Sequence, residues 1–353
     1  MDSKKSQLAK MSSDDELFIL EFISKVSRTF TLSIKFLPAK LRHHVYTAYL
    51  LCRVADTIED SPHIERHEKQ IRLMQLHNLL IKAENRSDLS EEDIISLYKA
   101  IDSEKGDDHR LLTQSSQLFE ILKKLPQKQQ TIIYHWVAEM ALGMAEYSQM
   151  APKTNGEIAA LRDLADWDRY CYFVAGTVGN MLTDLFTSYY ELPEDIVKDL
   201  SRFATSFGLG LQKVNVIKDV PDDRARGVCF LPISLMAKYN LNPSRLSDKL
   251  HENEIREFVA ELTELTLVHL DDAIKYTALF PARYKGVRMF LTVPILLAVE
   301  TLNLIKKNPL QTMTGPPVKI SRKDVARLVA AAARYSSSNE GLKRYYLKMK
   351  NKN

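Results

Sequence analysis

Two short acidic stretches, "ADTIED" at residues 55–60 and "KDVPDD" at residues 218–223, carry carboxylates at the same spacing. In each stretch the acids occupy positions i, i+3 and i+4, which lie on one face of an α-helix. Like charges at this spacing repel each other, so such a face is either solvated or occupied by cations. The six side chains are Asp56, Glu59 and Asp60 in the first stretch and Asp219, Asp222 and Asp223 in the second.

The sequence around both stretches favours a metal site over two solvated helix faces. Apolar residues run directly into the first stretch, and the second continues a polar stripe that includes Gln212, Asn215 and Asp219 on an otherwise apolar segment. Mg²⁺ prefers oxygen ligands, keeps waters and commonly bridges carboxylates to substrate phosphates. The sequence therefore predicts Mg²⁺ and a diphosphate at the rim of an apolar cavity, where a carbocation would be kept from water.

Two local features bear on this site. Pro221 lies inside the second stretch, where it removes a backbone donor and is expected to bend or end the helix before Asp222 and Asp223. The small residues of "VAGTVG" (174–179) have two interpretations. They could let a long substrate chain run close to a helix backbone, or they could serve tight packing between helices.

The composition predicts an all-α protein. In 353 residues, 45% hydrophobic and 27% charged, there are only 11 glycines and 13 prolines, too few for a turn-dense β architecture. No Pro/Gly/Ser-rich linker divides the chain. We therefore expect a single helical domain over residues 1–353, with flexible termini at 1–15 and 340–353. We also expect a monomer.

The charge distribution argues against a nucleic-acid partner. The net charge is +4, and no compact basic groove is visible outside the C-terminal tail. That tail either contacts an anionic membrane surface peripherally or is simply solvated. Its cations are Lys343, Arg344, Lys348, Lys350 and Lys352.

Other sequence features predict a cytoplasmic protein without a transmembrane segment. The three cysteines are isolated, and the N-terminus lacks the apolar core of a secretory signal. The most apolar stretch, "FLTVPILLAVETLNLI" (290–305), is interrupted by Pro294 and Glu300 and is shorter than a membrane span requires. It is predicted to be a kinked, buried helix. A dinucleotide site at "GLG" (208–210) is rejected, because Lys213 stands where that motif needs a third glycine.

Four ordered motifs resemble the head-to-head prenyl synthases, the family of squalene, dehydrosqualene and phytoene synthases. They are "SRTF" (27–30), "YTAYLLCRVADTIED" (46–60), "YCYFVAGTVG" (170–179) and "LQKVNVIKDVPDD" (211–223). The resemblance implies an isoprenoid-synthase fold around a central apolar cavity, with two Asp-rich motifs that face each other and bind Mg²⁺. It also implies condensation of two prenyl diphosphates through a cyclopropyl intermediate.

The resemblance further implies roles for individual residues. Tyr170 would act in the first half-reaction, together with the catalytic carboxylates Asp56, Asp60, Asp219 and Asp223. All six acids of the two stretches would bind metal. The residues implied to bind substrate lie in all four motifs: Ser27, Arg28, Phe30, Tyr49, Arg53, Val174, Ala175, Gly179, Gln212 and Asn215.

Two late segments favour the squalene-forming reaction within this family. "FLTVPILLAVETL" (290–302) and "GPPVKISRK" (315–323) are similar to squalene-synthase segments, the second of which is associated with NADPH. The expected reaction joins two farnesyl diphosphates through presqualene diphosphate and reduces the product to squalene with NADPH. Lys319 and Arg322 are the candidate contacts to the cofactor phosphate.

Two alternatives stay open. "ARGVCFLP" (225–232) is similar to a run common in phytoene-type enzymes, so the chain could form dehydrosqualene or phytoene without a hydride step. A protein of another class, a non-catalytic prenyl-lipid-binding subunit, would keep the fold without the reaction. The intact acidic stretches and Tyr170 argue against this second alternative.

Overall fold

The structure, a computed structural model, describes residues 12–26, 30–61, 63–87, 89–99, 106–150 and 157–352. Contacts between residues divide the chain into two compact units. The first comprises Met1–Ser148 and Asp184–Glu191, and the second comprises Gln149–Thr183 and Leu192–Asn353. The expected single domain over residues 1–353 stays a prediction.

The first unit is built from helices. Two of its long helices, α4 and α8, pack along each other, and α4 buries Leu73, Leu76 and Leu80 at helical spacing. α3 also packs against α8 and carries the first acidic stretch in its last turns. The helices are α1 (Ser13–Val26), α2 (Phe30–Ile34), α3 (Ala39–Asp60), α4 (Arg66–Glu84), α5 (Glu91–Ile95), α6 (Asp107–Thr113), α7 (Ser115–Lys123) and α8 (Gln127–Tyr147).

The second unit contains the remaining elements, and α10 contributes residues to both units. Its helices are α9 (Leu164–Cys171), α10 (Thr177–Tyr189), α11 (Glu194–Lys218), α12 (Val220–Ala225), α13 (Ile233–Lys238), α14 (Glu252–Leu279), α15 (Lys285–Lys307), α16 (Pro309–Thr314), α17 (Arg322–Tyr335) and α18 (Asn339–Lys350). A π-helical turn, Tyr172–Gly176, joins α9 to α10, and 3₁₀ turns span Arg245–Ser247 and Lys249–His251. Its two short strands are β1 (Ala159–Leu161) and β2 (Val228–Pro232).

The strands position the chain that follows the second acidic stretch. β1 and β2 run parallel, with Ala159 opposite Val228 and Ala160 opposite Cys229. The all-α prediction did not anticipate this pair of strands. The pairing holds Phe230, at the middle of β2, in a buried position within this unit.

Glycines allow α11 to approach the π-helical turn and α10 at backbone distance. A Cβ on Gly179 would lie 2.2 Å from the carbonyl oxygen of Ala204, and one on Gly208 would lie 2.1 Å from that of Ala175. Real Cβ atoms do not approach so closely, so only glycine fits at either position. Helix packing therefore accounts for Gly179, and this contact gives no support to its predicted role in substrate binding.

The apolar stretch at residues 290–305 lies within α15 and is largely buried, as predicted. Among the described residues, α15 is the one helix whose length and composition would allow a membrane span, and 72% of its apolar window is buried inside the protein. Pro294 lies inside this helix, and Glu300 is also buried. These observations favour a core helix over a span.

Residues 340–353 were expected to be flexible, but the structure places a helix, α18, at Asn339–Lys350. Leu342, Tyr346 and Met349 are buried at helical spacing, and the Tyr346 hydroxyl donates to Asp271 Oδ1 of α14 at 2.7 Å. The apolar pattern of this helix was not recognised in the sequence because many lysines lie between the apolar residues. At the other terminus, residues 1–11 lie outside the described structure, and α1 begins at Ser13.

Candidate active site

The first acidic stretch lies in the last turns of α3, as its spacing predicted. The Asp56 side chain is 29% exposed, Glu59 is half-buried and Asp60 is exposed. Burial raises the pKa of Asp56 to about 7, with further contributions from Asp60 and Asp108 that Arg53 opposes. Asp56 therefore lies in surroundings that do not fully compensate its negative charge.

Arg53, expected to contact a diphosphate, is held by carboxylates one turn before the acidic cluster. Its Nε and Nη2 atoms donate to the two carboxylate oxygens of Asp108 at 2.8 and 3.0 Å, and its Nη1 atom lies 3.6 Å from Asp56. Asp108 lies in the first turn of α6 and was not singled out from the sequence. The acidic run "DSEKGDDH" (102–109) was the available signal, but nothing local identified its partner. Tyr49 is half-buried, and its hydroxyl donates to the Val26 carbonyl oxygen at 3.4 Å.

The second acidic stretch is divided between two helices, as expected from Pro221. α11 ends at Lys218, and α12 begins at Val220 with Pro221 in its first turn. Asp219 stands between them, half-buried, with Lys218 Nζ at 3.0 Å from its carboxylate. Burial raises the pKa of Asp219, and Lys218 opposes that shift.

The other two acids of this stretch differ in exposure. Asp223 is buried, and its Oδ1 atom accepts from Arg226 at 2.5 Å, whereas Asp222 is exposed. On α11, Gln212 is half-buried about two turns before Asp219, and Asn215 is exposed about one turn before it. The polar stripe predicted on α11 is therefore at least partly exposed in the two turns that precede the acidic residues.

The first acidic stretch lies in the last turns of a long helix and the second directly follows another, and at both ends the helix dipole places partial negative charge. Carboxylates at such an end are unfavourable unless cations compensate them. Some compensation is already present, because Lys69 Nζ donates to the Glu59 carbonyl oxygen at 2.5 Å. A cation beside these groups would therefore be stabilised by carboxylates and the helix end together.

The carboxylates of the two acidic stretches fit Mg²⁺ as oxygen ligands, although they do not supply a complete coordination sphere. All six side chains offer oxygen ligands, and burial has raised the pKa of Asp56 and Asp219. Within the described residues, no group of three or more His, Cys, Asp or Glu side chains is arranged to hold a metal ion alone. Mg²⁺ keeps waters and shares substrate phosphates, so its protein ligands are commonly only one or two carboxylates.

Tyr170 lies in the last turn of α9, two residues before the π-helical turn begins. Its buried ring stacks on Phe230 of β2, with ring centroids 4.3 Å apart and planes 6° apart. π-Helical turns are often found at functional sites. Phe230 was not predicted, because its contact with Tyr170 joins two segments that are distant in the sequence.

The remaining predicted residues are placed as follows. Ser27 and Arg28 lie outside the described residues, and Phe30 begins α2. Val174 and Ala175 are half-buried in the π-helical turn. Lys319 and Arg322 are exposed, Lys319 before α17 and Arg322 at its first position.

A buried lysine near Tyr170 was also missed. Lys213 of α11 is 3% exposed, and its Nζ atom lies 2.5 Å from Asp168 of α9 and 2.9 Å from His269 of α14. The signal available in the sequence was a lysine among the apolar residues of α11. Its partners come from distant parts of the chain.

Comparison with known proteins identifies the family. A family model described as squalene/phytoene synthase matches residues 23–324. The chain belongs to the squalene/phytoene synthase family. It is therefore a prenyltransferase-type enzyme by family, and the resemblance drawn from the four motifs is confirmed.

Relatives within the squalene/phytoene synthase family include squalene synthases from mammals. The chain is 31% identical to squalene synthase of Rattus norvegicus over 286 residues, which cover 80% of this chain and 62% of the rat protein. It is 29% identical to squalene synthase of Bos taurus over 339 residues, which cover 94% of this chain and 74% of the bovine protein.

Solved structures of this family confirm the all-α isoprenoid-synthase fold. TcSQS in complex with the ligand BPH1237 superposes with a TM-score of 0.79 at 27% identity, covering 97% of this chain and 93% of that one. A dehydrosqualene synthase superposes with a TM-score of 0.67 at 21% identity, covering 91% and 96%, and supports the fold alone.

Proposed function

We propose that this protein is a squalene-forming member of its family, which condenses two farnesyl diphosphates and reduces the product with NADPH. The observation that carries the proposal is the similarity to squalene synthases over 80–94% of the chain. The motifs at residues 290–302 and 315–323, which resemble squalene-synthase segments, support the same reaction. The acidic ends of α3 and α11 support diphosphate chemistry.

The acidic residues would bind Mg²⁺ beside the diphosphate groups. Asp56, Glu59 and Asp60 would do so in the first unit, and Asp219, Asp222 and Asp223 in the second. Bound Mg²⁺ would neutralise the charge that develops on the departing diphosphate. Metal binding is favourable here because it relieves the repulsion within each stretch.

Other side chains would position the substrate and manage the proton. Arg53, already oriented by Asp108, would contact a diphosphate oxygen, with Tyr49 one turn earlier on α3. The Tyr170 hydroxyl would assist loss of the proton that leaves when the cyclopropane ring closes, or departure of the diphosphate. Val174 and Ala175 would contact the prenyl chain, and Gln212 and Asn215 its polar end.

The cofactor site is proposed at the start of α17. Lys319 and Arg322 are exposed cations, as a contact to the phosphate of NADPH requires. Arg322 is the first residue of α17, where backbone N–H groups and the helix dipole favour an anion. NADPH bound there would supply the hydride of the final reduction.

A product assay tests this proposal. The purified protein is incubated with farnesyl diphosphate and Mg²⁺, with and without NADPH, and the lipid products are identified by mass. We expect squalene only when NADPH is present, because the hydride must come from the cofactor.

Each alternative has its own outcome in the same assay. Dehydrosqualene formed regardless of NADPH would contradict the reductive step, and turnover of geranylgeranyl diphosphate would indicate a phytoene-forming enzyme. No release of diphosphate under any condition would indicate the non-catalytic prenyl-lipid-binding subunit.

We also propose a peripheral contact between α18 and anionic lipid surfaces. Lys343, Arg344 and Lys348 are exposed together with Leu347, which is 40% exposed, and these positions share one face of the helix. Basic residues beside an exposed apolar side chain suit a surface of anionic lipids. The contact would place the protein next to lipid substrates and products.

Charge reversal on that face is expected to weaken binding to vesicles. The variant Lys343→Glu/Arg344→Glu/Lys348→Glu should bind anionic phospholipid vesicles at least about tenfold more weakly in sedimentation assays. A matched variant, Lys198→Glu/Arg202→Glu/Lys249→Glu, changes the net charge equally at other exposed cations. Equal weakening by both variants would contradict a contact specific to α18.

A further inference from the structure

Lys213 has no part in the function proposed above, although its surroundings are unusual for a lysine. It lies on α11 between Gln212 and Asn215, yet its side chain is buried, whereas Asn215 is exposed. Its Nζ atom lies 2.5 Å from Asp168 Oδ1, donates to His269 Nε2 at 2.9 Å and sits 4.4 Å from the centroid of the Trp167 ring. One ammonium group therefore links α11 to both α9 and α14.

The hydrogen bonds beyond Lys213 have only one possible direction. An ammonium group only donates, so His269 Nε2 must accept and Nδ1 must carry the proton. His269 Nδ1 then donates to Ser206 Oγ at 2.9 Å, and Ser206 donates to Asp272 Oδ2 at 3.0 Å. The imidazole is neutral at neutral pH, because burial and the Lys213 charge lower the pKa of His269 to about 4. Every hydrogen bond from Lys213 through His269 and Ser206 to Asp272 therefore has one donor and one acceptor.

Burying an ammonium group costs free energy unless hydrogen-bonding and charged partners compensate it. The partners of Lys213 must therefore stay in place, which fixes α9 and α14 relative to α11. The Trp167 ring is fully buried, and its Nε1–H has no hydrogen-bond partner among the described residues. The cation over the ring face is thus the polar interaction that the described structure provides for Trp167. Trp167 and Tyr170 are three residues apart on α9 and share its buried face.

We propose that Lys213 is a positioning residue for the condensation step, which holds the Trp167–Asp168 turn of α9 and thereby the Tyr170 ring on Phe230. This inference rests on the proposed role of Tyr170 in that step. Lys213 itself need not contact substrate. Its effect on the reaction passes through Asp168 and Trp167, and the link to His269 keeps the ammonium group oriented toward them.

The test compares Lys213→Met, Lys213→Arg, Asp168→Asn and the double variant Lys213→Met/Asp168→Asn. For Lys213→Met we expect kcat for diphosphate release to fall by about 10–100-fold, as for a small misplacement of a catalytic group, with KM changed by less than about threefold. Lys213→Arg should recover part of kcat, because a guanidinium group can still pair with Asp168. The double variant should be no slower than Lys213→Met, because the two residues act as a pair. Lys198→Met, at an exposed position of α11, serves as the control.

A second readout does not depend on activity. The chain has two tryptophans, so Trp136→Phe leaves Trp167 as the sole one, and its fluorescence reports the packing of α9. Acrylamide should quench Trp167 more strongly in the Lys213→Met variant than in the Lys198→Met variant.

Unchanged quenching, or an unchanged kcat in a variant whose quenching has increased, would overturn the positioning role. A second pattern would also overturn the positioning role: kcat falls and KM rises by the same factor in Lys213→Met, and Lys213→Arg recovers neither. Such a pattern indicates that the whole site has lost its packing. If the unmodified protein releases no diphosphate, the proposed function fails, and the quenching comparison alone decides whether Lys213 holds α9.

Discussion

Replacing Asp56 or Asp219 with Asn is expected to lower the rate of diphosphate release from farnesyl diphosphate by about 10²–10³-fold. Each substitution removes one anionic oxygen ligand from the end of a long helix and keeps the size of the side chain. The loss should appear in kcat, because charge on the leaving group grows as the bond breaks. Release of diphosphate at saturating Mg²⁺ measures it directly.

Asp199→Asn is the matched control for this prediction. Asp199 lies on α11, the helix that ends just before Asp219, and it is exposed. The same loss of one negative charge there should leave turnover unchanged. Full activity in either the Asp56→Asn or the Asp219→Asn variant would contradict the proposed metal site in that unit.

The Asp56→Asn variant should also be more stable than the unmodified protein when metal is absent. Because the pKa of Asp56 is raised to about 7, the folded protein binds a proton between about pH 4 and pH 7 that the unfolded chain does not bind. The free energy of unfolding therefore falls as the pH rises through this window. Asn cannot ionise and escapes that loss, which reaches about 4 kcal/mol at pH 8 for a rise in pKa from about 4 to about 7.

Urea unfolding at pH 4.5 and pH 8 in the presence of a chelator measures this difference. The advantage of the variant should be small at pH 4.5 and should shrink at pH 8 when Mg²⁺ is added, since the unmodified protein then gains binding energy. A variant that is less stable than the unmodified protein at pH 8 without metal would indicate a structural role for the Asp56 carboxylate. Higher stability combined with lost turnover is the signature of a residue retained for function.

Tyr170→Phe is expected to reduce the first half-reaction by about 100-fold. The substitution removes only the hydroxyl and preserves the ring that stacks on Phe230 at 4.3 Å. Loss of rate would then be attributed to the hydroxyl rather than to packing. Diphosphate release in the absence of NADPH measures this step, because the reduction comes later.

Two companion variants separate the hydroxyl from the stack. Tyr172→Phe makes the same change two residues later, on a half-buried ring in the π-helical turn, and should leave the rate unchanged. Phe230→Leu keeps the hydroxyl and removes the stacking partner, so we expect a smaller loss than for Tyr170→Phe. A larger loss for Phe230→Leu would show that placement of the ring matters more than its hydroxyl.

Local patterns in the sequence were sufficient for much of the site. The spacing of Asp56, Glu59 and Asp60 placed them together on a helix, and Pro221 correctly indicated that α11 would end before Asp222 and Asp223. Both inferences depend on residues within about one helical turn of each other, where geometry follows directly from backbone periodicity. The order of the four motifs then identified the family.

Contacts between distant segments could not be obtained in this way. Nothing near Arg53 in the sequence indicates that Asp108 would bind it, and nothing near Tyr170 indicates Phe230. The terminal lysines predicted a flexible end, but the apolar face of α18 packs against α14, α15 and α17 and is buried. In each case the partner is chosen by how elements pack rather than by local composition.

The amino-acid sequence alone specified the helical class, the family and the carboxylates at the ends of two helices, because these follow from composition, order and local spacing. Packing specified that Gly179 lies against the backbone of α11 and that Lys213 is buried between α9 and α14. The residue type alone does not show whether a glycine or a lysine lies at the surface or in the core. Its role depends on which backbone or charge the folded chain brings beside it.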